Sequence, residues 1–227
     1  MNAEINSLNK FIHLSYKHKV KKLIYFASSC VYPKNYNKKL SPKLILTGSL
    51  EETNIHYASA KIMGINLCNA YNQQYQTNFI PVIPSNYFGP YDHFSIDYSH
   101  VICDLIMKFH KAKILNSDYI KIWGSGKPVR DFIYIDDVAK ASIFLMQNYK
   151  KNLPINITSQ NIYSIKQLAM TIKEVIKYKG KLIFDKSKPD GMKYKVLDDS
   201  EIKNLGWRSN SDFKIDLIKT YNGYLKN

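Results

Sequence analysis

"KKLIYFASSCVYP", residues 21–33, is the stretch from which the fold is read. Two lysines lead into a short apolar run rich in β-formers, and serines and a proline close it, the pattern of a buried strand. Ser28, Ser29 and Cys30 follow at once, so polar and nucleophilic side chains stand where that strand ends. A second run, "NFIPVIPSNYFGP" (78–90), begins as another buried strand and ends in a turn carrying Asn86. Between them lie a polar loop, 34–55, with Pro42 and Gly48, and a helical pattern from Tyr57 to about Tyr75.

The alternation continues in both directions. Upstream, "AEINSLNKFIHLSYKH" (3–18) has apolar positions at weak helical spacing. Downstream, 99–115 reads as a helix, 119–123 as a strand and 136–149 as a helix. Strand, helix and strand then follow in "LPINITS" (153–159), "SIKQLAMTIKEVIKYKG" (164–180) and "KLIFD" (181–185). Such alternation predicts an α/β fold with a parallel sheet and helices on both faces. Ligands of open parallel sheets gather beyond the carboxyl ends of the strands. That is where Ser28, Ser29, Cys30 and Asn86 fall.

Composition narrows the function classes. The chain has 227 residues, 45% hydrophobic, enough for a core in one domain or one and a half. Its three cysteines, Cys30, Cys68 and Cys103, have no paired or metal-ligand spacing, so neither disulfides nor a metal centre is expected. The first residues have no basic region leading into an apolar core, and no run approaches a membrane span, so the expected location is the cytoplasm and no membrane partner is expected. The net charge of +15 comes from lysines spread along the whole chain without a nucleic-acid motif. The charge therefore does not mark a nucleic-acid partner, whereas a nucleotide or polyanionic substrate suits a positive field.

Tyr57 and Lys61 are four apart and share a helical face. A phenol titrates at about 10, and a neighbouring ammonium favours its anion. With a serine hydroxyl nearby, such a pair suits proton transfer at a carbonyl oxygen while hydride moves at its carbon. On spacing alone, a packed tyrosine and a solvated lysine on an amphipathic helix are the better explanation of the pair. Arg130 is one of only two arginines, which suggests a site that lysine cannot serve, such as a diphosphate met by a bidentate fork. Asp136 and Asp137 read as a helix N-cap and first-turn acid. "WGSGK" (123–127) lacks the spacing of a P-loop.

Taken in order, "SSCVYP" (28–33), "YASAK" (57–61), "PSNYFGP" (84–90) and "WGSGKPVRDFIYIDDVA" (123–139) resemble the extended short-chain dehydrogenase/reductases. Within that family the chain resembles the GDP-L-fucose synthases, and "SHVI" (99–102), "SKPDG" (187–191) and "LGW" (205–207) extend the likeness over nearly its whole length. The resemblance implies a Rossmann-like parallel sheet, truncated at its N-terminal side, with a smaller C-terminal α/β substrate-binding domain. Residues 1–95 would be the C-terminal part of an NADP-binding domain. Residues 96–227 would mainly bind the GDP-sugar, with segments around 119–158 returning to the sheet.

The resemblance also implies roles. Tyr57 would protonate the C4 oxygen of a GDP-4-keto-6-deoxy-mannose as NADPH delivers hydride. Lys61 would hold the nicotinamide ribose and favour the Tyr57 phenolate, and Ser28 would share the hydrogen bond to that oxygen. Cys30 and His100 would be the base and acid that epimerise C3 and C5. NADP(H) would lie along Phe26, Ala27, Ser28 and Ser29, against Pro84, Ser85, Asn86 and Tyr87, and reach Tyr57, Lys61 and His100. Lys108, Trp123, Arg130 and Asp190 would bind the GDP-sugar, Lys108 standing where the family more often has arginine. Relatives pair as homodimers through helices represented here by the N-terminal segment and 57–75.

One departure stands against the matches. The family opens on a strand, a GxxGxxG turn and a helix whose N-terminus holds the cofactor pyrophosphate. No glycine precedes Gly48 in this sequence. About 80 residues of the family pattern are missing, and residues 23–26 would form an exposed sheet edge instead of lying mid-sheet. The sequence therefore leaves three readings open: an active enzyme, one half of a split enzyme completed by a separate N-terminal chain, and a non-catalytic nucleotide-sugar-binding fragment.

Overall fold

The computed structural model describes residues 2–95 and 99–226, the segment 2–9 by its backbone alone. In chain order the elements are α1 (Asn2–Lys17), β1 (Leu23–Phe26), α2 (Ile55–Tyr75), β2 (Phe79–Pro84), β3 (Asn86–Phe88) and α3 (Val101–Ile114). Then come β4 (Tyr119–Trp123), β5 (Val129–Tyr134), α4 (Ile135–Asn148), β6 (Ile155–Ile157), β7 (Asn161–Ser164) and α5 (Ile165–Ile176). The chain closes with β8 (Lys181–Asp185), β9 (Tyr194–Lys195), α6 (Ser200–Asn204) and α7 (Phe213–Tyr224).

Strands β1, β2 and β6 form a parallel sheet in that order, with Leu23 opposite Phe79 and Val82 opposite Ile155. Side chains alternate across a strand, and β2 shows why both of its faces are apolar. Ile80 and Val82 pack with Val138, Ala141 and Leu145 of α4. On the other face, Ile83 meets Ile62 and Ile65 of α2, and Phe79 meets Cys68 of α2 and Ile12 of α1. Helices thus cover the sheet from both sides, as the alternation predicts.

A second sheet runs β3-β5-β7, parallel and then antiparallel, and β9 pairs in parallel with β5. Strands β4 and β8 make a separate parallel pair. Phe88, Phe109, Phe132 and Phe213 fill the core that these strands share with α3, α5 and α7. The start of α5 is fixed by a capping box in which the Ser164 hydroxyl accepts from the Gln167 amide and the Gln167 side chain accepts in return.

Several boundaries differ from the sequence reading. The strand in "KKLIYFASS" is four residues long and half-buried, not fully buried, because among the described residues β1 pairs on one side only. Phe26, at its end, is 45% exposed. The loop at 34–55 contains two short 3-10 turns, Pro42–Leu44 and Glu52–Asn54. The N-cap of α4 is Tyr134, so neither aspartate caps it; Asp136 and Asp137 are both first-turn acids. Asp137 is buried and accepts from the hydroxyls of Ser209 and Ser211, tying the C-terminal segment to α4.

Candidate active site

The carboxyl end of β1 turns at Ser28 into a 3-10 turn, Ser29–Val31. The extended backbone of Ser28 lets its hydroxyl accept from the Cys30 amide at 3.2 Å, which caps the turn and fixes the cysteine beside the strand end. Ala27 and Ser29 are buried, while Ser28 and Cys30 are partly open. Helix α2 packs against both the strand and the turn.

That packing places Tyr57 and Lys61. The Lys61 ammonium donates to the Phe26 carbonyl at 3.2 Å and lies 5.6 Å from the ring centres of both Tyr57 and Tyr25. Phe26 therefore anchors Lys61 through its backbone carbonyl. Tyr57 is 41% exposed, so its phenol borders the open surface. At the end of β2, Ser85 is buried, and its hydroxyl has no hydrogen-bond partner among the described residues. Pro84 is buried beside it, Asn86 donates to the Asp131 carbonyl at 2.9 Å, and Tyr87 is exposed.

A second group surrounds Arg130 on β5. Its Nη1 donates to the Val129 and Met192 carbonyls at 2.9 and 2.6 Å, which holds the guanidinium against the 190–192 loop. Burial pulls its pKa down, while Glu51, Asp190 and Cys30 oppose that pull. The Asp190 carboxylate accepts from the Ser125 amide at 2.6 Å and hydroxyl at 2.7 Å, and these bonds hold its pKa below the ordinary value. A side chain at Gly124, whose φ is +83°, would run into that carboxylate, so the turn after β4 needs glycine twice over.

The third group lies around Trp123, which is 67% exposed at the end of β4. Lys108 and Lys188 stand 5.5 and 5.6 Å from its ring centre, and Lys108 also meets Asp104 at 2.7 Å. This face borders a cavity of about 700 Å³ lined by Ser99, Asp104, Lys108, Lys111, Lys121 and Trp123. An exposed indole flanked by ammonium groups suits a planar, anionic ligand.

Two of these groups meet at Cys30. Its amide belongs to the first, and its sulfur accepts from Lys195 Nζ at 3.4 Å, next to Arg130 in the second. His100 stands apart, an exposed N-cap of α3 whose carbonyl accepts from Asp104, with no described contact to Cys30. Sequence reasoning missed Lys195, Glu51 and Lys188. A lysine in a chain with 33 basic residues carries no signal of its own, and only the burial of Lys195 singles it out. Among the described residues no cluster of three or more His, Cys, Asp or Glu could hold a metal, and no helix is long and apolar enough to cross a membrane.

A family model described as the NAD dependent epimerase/dehydratase family matches residues 1–158. The chain belongs to this family. Its relatives within it include GDP-L-fucose synthases of Sinorhizobium fredii and Escherichia coli, 43% and 40% identical over 94% and 96% of this chain. They include also GDP-L-fucose synthase 1 of Arabidopsis thaliana, 42% identical over 95% of the chain. The chain spans about two thirds of the length of these epimerase/dehydratase relatives (67–71%). A crystal structure of a GDP-L-fucose synthetase from Naegleria fowleri bound to NADP superposes with a TM-score of 0.92 at 31% identity, covering 99% of this chain and 72% of that one. The α/β architecture is therefore the Rossmann-like fold of that family.

Proposed function

We propose that this chain carries the catalytic and substrate-binding part of a GDP-L-fucose synthase, which epimerises C3 and C5 of GDP-4-keto-6-deoxy-D-mannose and reduces C4 with NADPH. The observation that carries the reading is the meeting of two sets at the end of β1: Tyr57 and Lys61 on α2, and Cys30 on the adjoining turn. A reductase alone needs the first set. The cysteine adds a base for carbon acids activated by a ketone.

The residues present fit the nicotinamide end of a dinucleotide. Lys61 and Tyr57 would hold the ribose, Phe26–Ser29 and Pro84–Tyr87 would line the ring, and the buried Ser85 hydroxyl, without a hydrogen-bond partner among the described residues, supplies a polar atom on that wall. The sequence contains no GxxGxxG turn for the pyrophosphate. When bound, the dinucleotide would supply a hydride to C4. Cys30 takes the proton from C3 or C5, the electron pair passes to the C4 oxygen as an enolate, and His100 returns a proton on the opposite face. Tyr57, steadied by Lys61 and assisted by Ser28, donates its proton to the C4 oxygen during reduction. Arg130 and Lys108 meet the diphosphate, Trp123 stacks on the base, and Asp190 holds the loop beside them.

The proposal extends to organisation. Residues 1–95 serve the cofactor side and 96–227 mainly the GDP-sugar, a division supported by the separate core around α3, α5 and α7. Among the described residues β1 pairs on one side only, and its open edge fits a complementing strand. The exposed Phe11, Leu14 and Tyr75 on α1 and α2 support a homodimer through those helices. A cytoplasmic location is consistent with three free cysteines.

The test is NADPH oxidation with the 4-keto sugar, run on the chain alone and with a supplied N-terminal segment from a relative. Oxidation in either arm supports the reading. GDP-sugar binding without turnover in both arms would favour the non-catalytic binding fragment.

A further inference from the structure

Lys195 is a buried ammonium with an unusual partner. It is 8% exposed, and among the described residues its Nζ makes no salt bridge with a carboxylate. Lysine is almost never buried unless paired, because removing its charge from water costs several kcal/mol. Its described partner is the Cys30 sulfur at 3.4 Å. Strand register explains why the cation is fixed there: β9 pairs with β5 so that Lys195 lies directly opposite Arg130. Two cations thus stand side by side on neighbouring strands, yet the carboxylates in this corner, Glu51 and Asp190, act on Arg130. Tyr57 and Lys61 lie on the α2 side of the turn, and Tyr32, which ends the turn, donates to Asn156 and has its phenol pushed up by burial, so it offers no anion. Among the described residues, the group that the Lys195 ammonium meets is the Cys30 sulfur, which can match its charge as a thiolate.

We infer that Lys195 is a positioning residue that pairs with the Cys30 sulfur and holds it as the thiolate, ready to act as a base. An adjacent ammonium is one of the settings that turn an ordinary thiol into a reactive one. After the thiolate takes a carbon-bound proton, Lys195 stays charged and favours handing that proton on. The base role rests on the function proposed above, whereas the ion pair does not.

The experiment reads thiol chemistry and needs neither cofactor nor sugar. The folded chain is alkylated with iodoacetamide between pH 6 and pH 9, and modification of each cysteine is followed by peptide mass spectrometry. Cys68 and Cys103 are fully buried, burial pushing the Cys68 thiol up to about 12 and the Cys103 thiol up as well, so both serve as unreactive controls. Cys30 should react about tenfold faster at pH 7 than in Lys195→Met, and Lys195→Arg should retain most of that rate. In the unaltered chain the rate should rise only a few-fold from pH 7 to pH 9, where an ordinary thiol with a pKa of about 8.5 would rise roughly 25-fold. The ordinary steep rise, or equal rates in Lys195→Met that melts like the parent, would overturn the inference. The unaltered-chain profile decides the matter even if the Met variant unfolds. Fast alkylation without deuterium entry into the sugar would refute the proposed function and leave the ion pair standing.

Discussion

The phenol of Tyr25 occupies the space that a side chain on Gly64 would need. A Cβ there would come within 2.6 Å of Tyr25 Cε1, a separation real contacts do not reach. Gly64 thus lets α2 lie close on β1, and the Tyr25 hydroxyl donates to the Lys61 carbonyl at 3.4 Å from that position. The close approach sets the reach of Lys61 to the Phe26 carbonyl.

Gly64→Ala should therefore act on stability and site together. Overpacking of this kind costs about 1–3 kcal/mol, and the melting temperature should fall by several degrees. NADPH-dependent turnover should fall more than the loss of folded protein explains. Thermal melts and activity per folded molecule check this, and an unchanged melt would show that Tyr25 moves aside freely.

Tyr57→Phe should separate the two halves of the reaction. Loss of a general acid costs about 10²–10⁴-fold, so C4 reduction should drop by that order. Deuterium entry at C3 and C5 should persist, because Cys30 and His100 are untouched. Mass spectrometry of the recovered sugar reads both in one sample.

Arg130→Lys keeps the charge but loses the planar guanidinium, whose Nη1 is held by the Val129 and Met192 carbonyls and whose fork would meet the diphosphate. Calorimetric titration with GDP should show about tenfold weaker binding, about 1.4 kcal/mol. Unchanged affinity would remove Arg130 from the diphosphate site.

Asp131 predicts a pH dependence of stability. It is fully buried, and burial raises its pKa to about 7 despite bonds from Thr158 and the Leu197 amide that favour the carboxylate. The unfolded value is about 3.9, so between pH 4 and pH 7 the folded state binds the extra proton. This contribution is present below pH 4 and lost as pH rises through 7. Denaturant titrations at pH 5.5 and pH 8 should therefore differ, the lower pH being more stable by on the order of 2 kcal/mol. Asp131→Asn should flatten that difference.

Much of this was legible beforehand, and particular residues show why the rest was not. Helix α2 was readable although its two faces are nearly equal in polarity, because Ala58, Ile62, Ile65 and Cys68 bury one side against the sheet. Strand β5 does not read as a strand in the sequence, since Arg130 and Asp131 break its apolar run. Both are tolerated because Arg130 meets carbonyl groups and Asp131 is bonded by Thr158. Strands β7 and β9 span four and two residues, too short for a period to register. Helices α6 and α7 went unread in a lysine-rich C-terminal stretch. Tyr57 and Lys61 could be paired from spacing, and the geometry brings them together. Lys195 could not be found that way, because its partner lies 165 positions away.

The most direct measurement is solvent deuterium entry into GDP-4-keto-6-deoxy-D-mannose incubated with the chain in D₂O, without any dinucleotide. Epimerisation is redox-neutral, so it asks only whether Cys30 and the GDP-sugar site work together. Deuterium at both C3 and C5, abolished by Cys30→Ala in a variant that still binds GDP, is the expected result. No deuterium at either carbon, from folded chain that binds the sugar, would contradict an epimerase site at the end of β1.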